Sequence, residues 1–243
     1  MILYILMFMT GACIGSFINV IFSRRDWFRG RSRCDNCGYT LKWYDMMPLV
    51  SYILLLGKCR KCKKKIDSSH FMSELFMGAA FLCGSLSFAR YGIFYGIMVS
   101  AALFSLAVAA IEDYKEQMVY SYILNCGIIL TMTAKVVMIK AGVVSYDILL
   151  MVLSVLALKL MGRIASFAFK RKIGAGDFDA FAIMYILGEI QGLMMSLTVG
   201  SIIGCIVYIP QILLKKRDKN EPLPFIPLLY FGTIAMVMFG GLA

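Results

Sequence analysis

The sequence predicts an all-α, polytopic membrane protein of about eight transmembrane helices carrying one small cysteine-rich loop domain. Three observations support that class. The 243 residues are 60% apolar and only 16% charged, with a mean hydropathy of +0.80. A water-soluble domain has about 45–50% apolar and about 25% charged residues. The apolar residues are gathered into runs, most of them near the roughly 20 residues of a membrane span. The net charge of +11 alternates with those runs, as the positive-inside rule requires. Intrinsic disorder is excluded, because it goes with low hydrophobicity and high charge.

In chain order the expected spans are residues 1–22, 71–89, 92–111, 118–139, 143–169, 178–189, 191–213 and 223–243. The first has no basic residue before Arg24, so it lacks the charged start of a cleavable signal and reads as a retained anchor. The second, third and fourth are separated by short polar connections. The fifth holds Lys159 and Arg163 near one end, which blurs its boundary. The sixth is short and polar-flanked, the weakest by hydropathy; the seventh and eighth flank a basic run. Three regions follow: the first span at 1–22, a cytoplasmic domain at 23–70, and about seven further spans at 71–243.

The charges test this count. Twelve Lys/Arg lie between the first two spans, from Arg24 to Lys65, against four Asp. Lys115, the run Arg163 to Lys172 and the run Lys215 to Lys219 bring one side to 21 of the 25 basic residues. The opposite side has Arg90, Lys135 and Lys140, with Lys159 left inside a span. The basic side is therefore read as cytoplasmic and both termini as outside. Nucleic-acid binding explains the charge less well, since the charge follows the spans.

Four of the eight cysteines form two knuckles, Cys34-Asp-Asn-Cys37 and Cys59-Arg-Lys-Cys62, separated by the 21 residues 38–58. Each presents two thiolates from one tight turn, and two such turns close a tetrahedral four-sulfur site that suits structural Zn²⁺. A disulfide reading is weaker for a loop facing a reducing cytoplasm. Arg33, Lys58, Arg60 and Lys61 offset the charge of such a centre. A segment of this size is too small for a sufficient core of its own, which a metal remedies. The apolar stretch 43–57 between the knuckles is expected on the membrane face or against the spans.

Asp113 ends the third span and Asp177 begins the sixth, within Gly174-Ala175-Gly176-Asp177. The topology puts both at the cytoplasmic boundary. Carboxylates at a membrane are costly and point to function. Two held close share a proton, so one can activate water while the other protonates a scissile carbonyl. Gly174 and Gly176 suit a backbone that bends sharply near a substrate. Two bland readings stand beside this one: Asp177 as a helix N-cap, and Asp113 as an interface residue. Glu112, Glu116 and Asp179 are rival carboxylates.

Together these motifs resemble the type IV prepilin peptidases, bacterial GxGD membrane aspartic proteases, over residues 11–192. Gly15-Ser16-Phe17-Ile18-Asn19-Val20 is similar to their opening signature. The knuckles with Trp43, Pro48-Leu49-Val50-Ser51 and Gly57-Lys58-Cys59 resemble their zinc loop. Ser73-Glu74-Leu75-Phe76-Met77-Gly78 resembles their glutamate motif. Ile111-Glu112-Asp113 and Gly174-Ala175-Gly176-Asp177 match the two aspartate blocks.

The resemblance implies removal of a basic leader from prepilins or pseudopilins at the cytoplasmic membrane face. It also implies N-methylation of the new N-terminus with S-adenosylmethionine, whose binding residues the sequence does not reveal. It assigns catalysis to Asp113 and Asp177 and zinc to Cys34, Cys37, Cys59 and Cys62, with prepilins and the lipid bilayer as partners and no nucleic acid. Two positions depart from the family pattern: Tyr120 stands where a proline is usual, and Asp179 where a lysine is common. Asp179 is expected to add negative charge beside the pair. A presenilin-like intramembrane protease, a peptidase without methyltransferase activity, and a non-enzymatic transporter or scaffold are the alternatives.

Overall fold

A computed structural model describes residues 1–23, 32–34, 36–117, 119–168, 174–214 and 223–239. The basic runs expected at 24–31, 170–172 and 215–219, and the last four residues of the eighth span, lie outside the described residues. The chain forms two compact units, Met1–Leu82 and Cys83–Ala243. Among the described residues the regular secondary structure is helical, with two isolated antiparallel bridges. Among the described residues six helices are long and apolar enough to cross a membrane, so this is a multi-pass membrane protein.

The first unit is built on α1 (Ile2–Ser23) and the beginning of α3 (Ser68–Tyr91). The two helices run antiparallel in close contact. A Cβ on Gly11 would collide with the carbonyl oxygen of Met77, and one on Gly15 with that of Ser73. Small residues that let backbones approach are a main source of helix association in lipid, where apolar burial supplies little. Asn19, fully buried, meets the His70 ring at 2.9 Å (Nδ2 to Nδ1), which gives the only histidine a partner on the same crossing.

Between these helices the loop folds into two matching knuckles. Bridges pair Arg33 with Thr40 and Lys58 with Lys65. In each, the first cysteine's N–H donates across the turn, Cys34 to the Tyr39 carbonyl and Cys59 to the Lys64 carbonyl, both at 2.9 Å. The residue after each second cysteine, Gly38 or Lys63, takes a left-handed φ (+66° and +58°). A short 3₁₀ turn, Trp43–Asp45, and α2 (Val50–Leu54) connect the knuckles. Trp43, Ile53, Leu54 and Leu56 leave their apolar side chains exposed.

The second unit is a helical bundle: α4 (Ile93–Glu116), α5 (Ser121–Lys140), α6 (Ile148–Ala168), α7 (Ala175–Leu213) and α8 (Ile226–Phe239). One stripe of α6, Leu149, Leu153, Leu156, Leu160, Ile164 and Phe167, is exposed, as a lipid-facing stripe would be. Thirty-nine residues of continuous helix would span almost twice a bilayer core at about 1.5 Å each. The helix α7 is instead broken at Gly188 and Glu189, and Glu189 holds φ +56° and ψ −155°, a region that is costly for a residue with a side chain.

The direction of each arm follows from its neighbours. Phe178 packs at Gly162 and Tyr185 donates to Ser154, so residues 175–187 run antiparallel to α6. Gly192 faces Met236 and Gly200 faces Leu228, so residues 190–213 run antiparallel to α8. The first arm and α8 both start beside Asp113, so the chain reverses at the break and α7 forms two arms, in line with the separate sixth and seventh spans that the sequence predicts. The first arm is only about 20 Å long.

The break frees the Ile186 carbonyl from its usual helical donor. Lys135, 4% exposed, supplies the replacement, its Nζ donating at 2.8 Å. The same ammonium lies 3.6 Å from Glu189 Oε1 and 4.8 Å from the Tyr146 ring centroid. The sequence reads Lys135 only as one of the few charges on the sparse side. Its actual role, bonding the turn of α7, depends on a contact 51 residues away.

Candidate active site and metal centre

The four sulfurs of Cys34, Cys37, Cys59 and Cys62 all lie within 4.8 Å of one another. A tetrahedral centre with metal–sulfur bonds near 2.3 Å requires sulfurs about 3.8 Å apart. The Cys34–Cys62 separation of 3.9 Å fits this spacing and is far too long for a disulfide bond of about 2.05 Å. All four are free thiols. The Lys64 N–H and then the Asn36 amide pull Cys62 down to about 6. The N–H groups of Cys37 and Asn36 also lower Cys34. The donor set fits a soft divalent cation, which would complete the ionisation of all four sulfurs.

Asp45, which sequence reasoning passed over, ties the knuckles together. Its Oδ1 accepts from Arg60 Nε at 2.7 Å, and its Oδ2 accepts from the Lys42 N–H at 3.3 Å and the Tyr39 hydroxyl at 3.4 Å. Tyr39 belongs to the first knuckle and Arg60 to the second. Arg60 also lies over the Tyr44 ring, 5.0 Å from its centroid. The one acidic residue between the two knuckles was the available signal.

Asp113 and Asp177 occupy the same end of the second unit. Asp113 sits in the last turn of α4, buried, and its Oδ2 accepts the N–H of Ile226, the first residue of α8, at 2.9 Å. The Phe225 N–H also reaches this carboxylate. Asp177 lies within electrostatic reach of Asp113. It is the third residue of α7, after an N-cap at Gly174, so it is not itself the N-cap. Its carboxylate bonds back to the Gly174 backbone, the reciprocal half of a capping box. Neither glycine of the motif adopts a left-handed φ. Gly176 is instead packed, since a Cβ there would come within 3.3 Å of Val119.

The rival carboxylates separate by their partners. Glu112 is buried, with Oε2 accepting the Tyr120 N–H at 3.4 Å and Oε1 without a partner among the described residues. A proline at position 120 could not donate that bond, so Tyr120 has its own use here. Glu116 is exposed. Asp179 does not add unbalanced charge beside Asp177, contrary to expectation. Its Oδ1 is 3.0 Å from Lys159 Nζ on α6, and Lys159 also bonds Asn125 on α5. The lysine left inside the fifth span is the counter-ion of an aspartate on the next helix.

Comparison with known proteins places these features. Residues 9–88 match the family described as the bacterial peptidase A24 N-terminal domain, which covers most of α1, both knuckles and most of α3. Among relatives, the chain is 24% identical over 266 residues to a prepilin leader peptidase/N-methyltransferase of Stutzerimonas stutzeri, covering 95% of this chain and 88% of the relative. It is 28% identical to a type 4 prepilin-like proteins leader peptide-processing enzyme of Escherichia coli, covering 93% and 90%. Over nearly its whole length the chain is therefore similar to prepilin leader peptidases. A shorter match reaches 35% identity with the prepilin leader peptidase/N-methyltransferase of Myxococcus xanthus, over 43% of this chain and 31% of that relative's length. The matched region there is thus about a third of the relative. No solved structure matches the chain.

Proposed function

We propose that this chain is a membrane aspartic endopeptidase that removes the basic leader of type IV prepilins or pseudopilins at the cytoplasmic face, and that it N-methylates the new N-terminus. One observation carries the catalytic assignment. Two carboxylates 64 positions apart, Asp113 and Asp177, meet at one end of a bundle from separate helices. Holding a buried and a half-buried carboxylate there is costly, and among the described residues no basic side chain is paired with either.

The surroundings of the pair suggest a division of labour. Negative charge is better accommodated on Asp113, which faces two N–H groups at the start of α8 and the positive end of that helix. Asp113 therefore takes a proton from the attacking water, while Asp177 gives one to the scissile carbonyl oxygen. Collapse of the tetrahedral intermediate breaks the C–N bond as Asp113 gives its proton to the leaving amine and Asp177 takes one back from a gem-diol hydroxyl, which returns the pair to its starting state.

Cys34, Cys37, Cys59 and Cys62 would hold Zn²⁺ with no open position, so the ion fixes the loop and takes no part in peptide hydrolysis. S-adenosylmethionine would supply a methyl group activated by a sulfonium centre. The basic side of the bundle is cytoplasmic on this reading, and both termini lie outside.

The test co-expresses a prepilin with the wild-type chain, Asp113→Asn or Asp177→Asn and follows leader removal by mass spectrometry. Wild type should process the prepilin and both variants should fail. Full processing by either variant removes the aspartic mechanism.

A further inference from the structure

The mechanism leaves one buried carboxylate of the second unit unused. Asp113 faces the start of α8 and Asp179 faces Lys159, but Glu112, 5% exposed, has no such counterpart. Its Oε2 accepts only the long bond from the Tyr120 N–H, 3.4 Å. Among the described residues its Oε1 has no donor, and no basic side chain is paired with the carboxylate. A buried oxygen without a donor is rare in a folded protein and calls for an explanation. At the edge of a membrane span the cost is greater still.

The surroundings of Glu112 suit a cation. The connection that bonds it carries two exposed aromatic rings, Tyr120 and Tyr122, with 5.6 Å between centroids. Tyr122 and the exposed Glu116 both lie within electrostatic reach of Glu112. A carboxylate flanked by aromatic faces holds an ammonium or guanidinium through a charge-assisted bond and attraction to the rings. The position is also close to the reacting atoms. Glu112 directly precedes Asp113 on α4, and Val119, next to Tyr120, packs on Gly176 beside Asp177. Residues 119–122 therefore join Glu112 to both halves of the aspartate pair. We propose that Glu112 is a specificity-determining residue for the leader: its Oε1 receives a lysine or arginine side chain of the substrate, which rests against Tyr120 and Tyr122. The scissile bond is thereby set against Asp113 and Asp177. This rests on the peptidase reading and supplies the contact with a basic leader that it lacked. Glu112 touches no reacting atom, so its loss weakens substrate binding rather than the chemical step.

The experiment uses the full chain with its metal in lipid nanodiscs and two forms of one purified prepilin. One has its basic leader; in the other each leader Lys and Arg is replaced by Gln. Cleavage is followed by mass spectrometry. Binding is followed by fluorescence anisotropy of labelled prepilin on the Asp177→Asn chain. In wild type the basic leader should have a KM about tenfold or more below the neutral one, the value of one charge-assisted contact. Glu112→Gln keeps an acceptor for the Tyr120 N–H and nearly the same volume, so the connection stays in place. It should erase the difference between the leaders by raising KM for the basic one, without a matching fall in kcat. Tyr122→Leu should raise the same KM a few-fold. A wild-type chain that cuts both leaders equally well overturns the inference and leaves the peptidase reading standing. So does a Glu112→Gln variant that loses kcat alone, or loses the same factor on both leaders. Charge-dependent binding that Glu112→Gln abolishes, in a wild-type chain that cuts neither leader, upholds the subsite and overturns the peptidase reading instead. Binding that ignores leader charge overturns the inference whether or not cleavage is seen.

Discussion

The ion pair between Lys159 and Asp179 allows a sharp test of how the second unit is held together. The lysine side chain is 25% exposed and the aspartate 9%, with 3.0 Å between charged atoms. Removing one partner of a fully buried pair costs about 3–5 kcal/mol, because the other charge is stranded. The two partners are unequal here. After Asp179→Asn the lysine keeps Asn125, and its long stem can carry the charge toward water, so the loss should be nearer 2 kcal/mol. After Lys159→Met the short aspartate has no such escape, and the loss should lie in the full range of about 3–5 kcal/mol. Replacing both, Lys159→Met with Asp179→Leu, removes the stranded charge. The double variant should therefore be more stable than the sum of the single losses predicts, by about 2 kcal/mol. Equilibrium unfolding in mixed detergent micelles, followed by far-UV circular dichroism, measures all four corners of the cycle. Additivity within about 0.5 kcal/mol, or a greater loss from Asp179→Asn than from Lys159→Met, would refute the argument that this pair couples α6 to the first arm of α7.

Three further outcomes follow from other contacts. Gly15→Leu should part α1 from α3, since even a Cβ there meets the Ser73 carbonyl; a cysteine cross-link between the two helices, efficient in the parent, should be lost, and its retention would contradict the close crossing. In metal-stripped protein the Cys62 thiol, lowered to about 6 by the Lys64 N–H and the Asn36 amide, should exist mainly as thiolate above that pH. Its alkylation by iodoacetamide should therefore rise through pH 6 and level off by neutrality, with zinc protecting it; a rise centred near pH 9 would refute this. Ile226→Pro removes the N–H given to Asp113 at a first helical position that tolerates proline, while Ile226→Val trims the same buried side chain and keeps the N–H. Leader cleavage should fall by about tenfold in the proline variant alone, as expected for a hydrogen bond to a charged group; an equal rate in the two would remove α8 from the site.

Much of this architecture was legible in the chain because two strong physical rules act locally. A bilayer demands long apolar runs with satisfied backbones, so spans can be counted from composition, even where two of them follow one another directly in α7. Two Cys-x-x-Cys turns at ribbon spacing announce a four-sulfur cluster without reference to the rest of the fold. Asp113 and Asp177 were visible for the same reason: a carboxylate at the edge of an apolar run is conspicuous.

The partners of those residues depend on approaches between distant segments, which no local pattern encodes. Asp179 reads as excess negative charge until α6 brings Lys159 beside it. Lys135 reads as a boundary charge until the α7 break leaves the Ile186 carbonyl in need of a donor. Asp45 is an isolated acidic residue in an apolar stretch until it bonds Tyr39 of one knuckle and Arg60 of the other. The excess of apolar residues and the alternating charge are properties of single segments, and the sequence alone determined the membrane class, the spans and the cysteine cluster. Which buried charge meets which counter-charge was decided by tertiary structure, because a buried polar group must find its partner in space, whatever its distance along the chain.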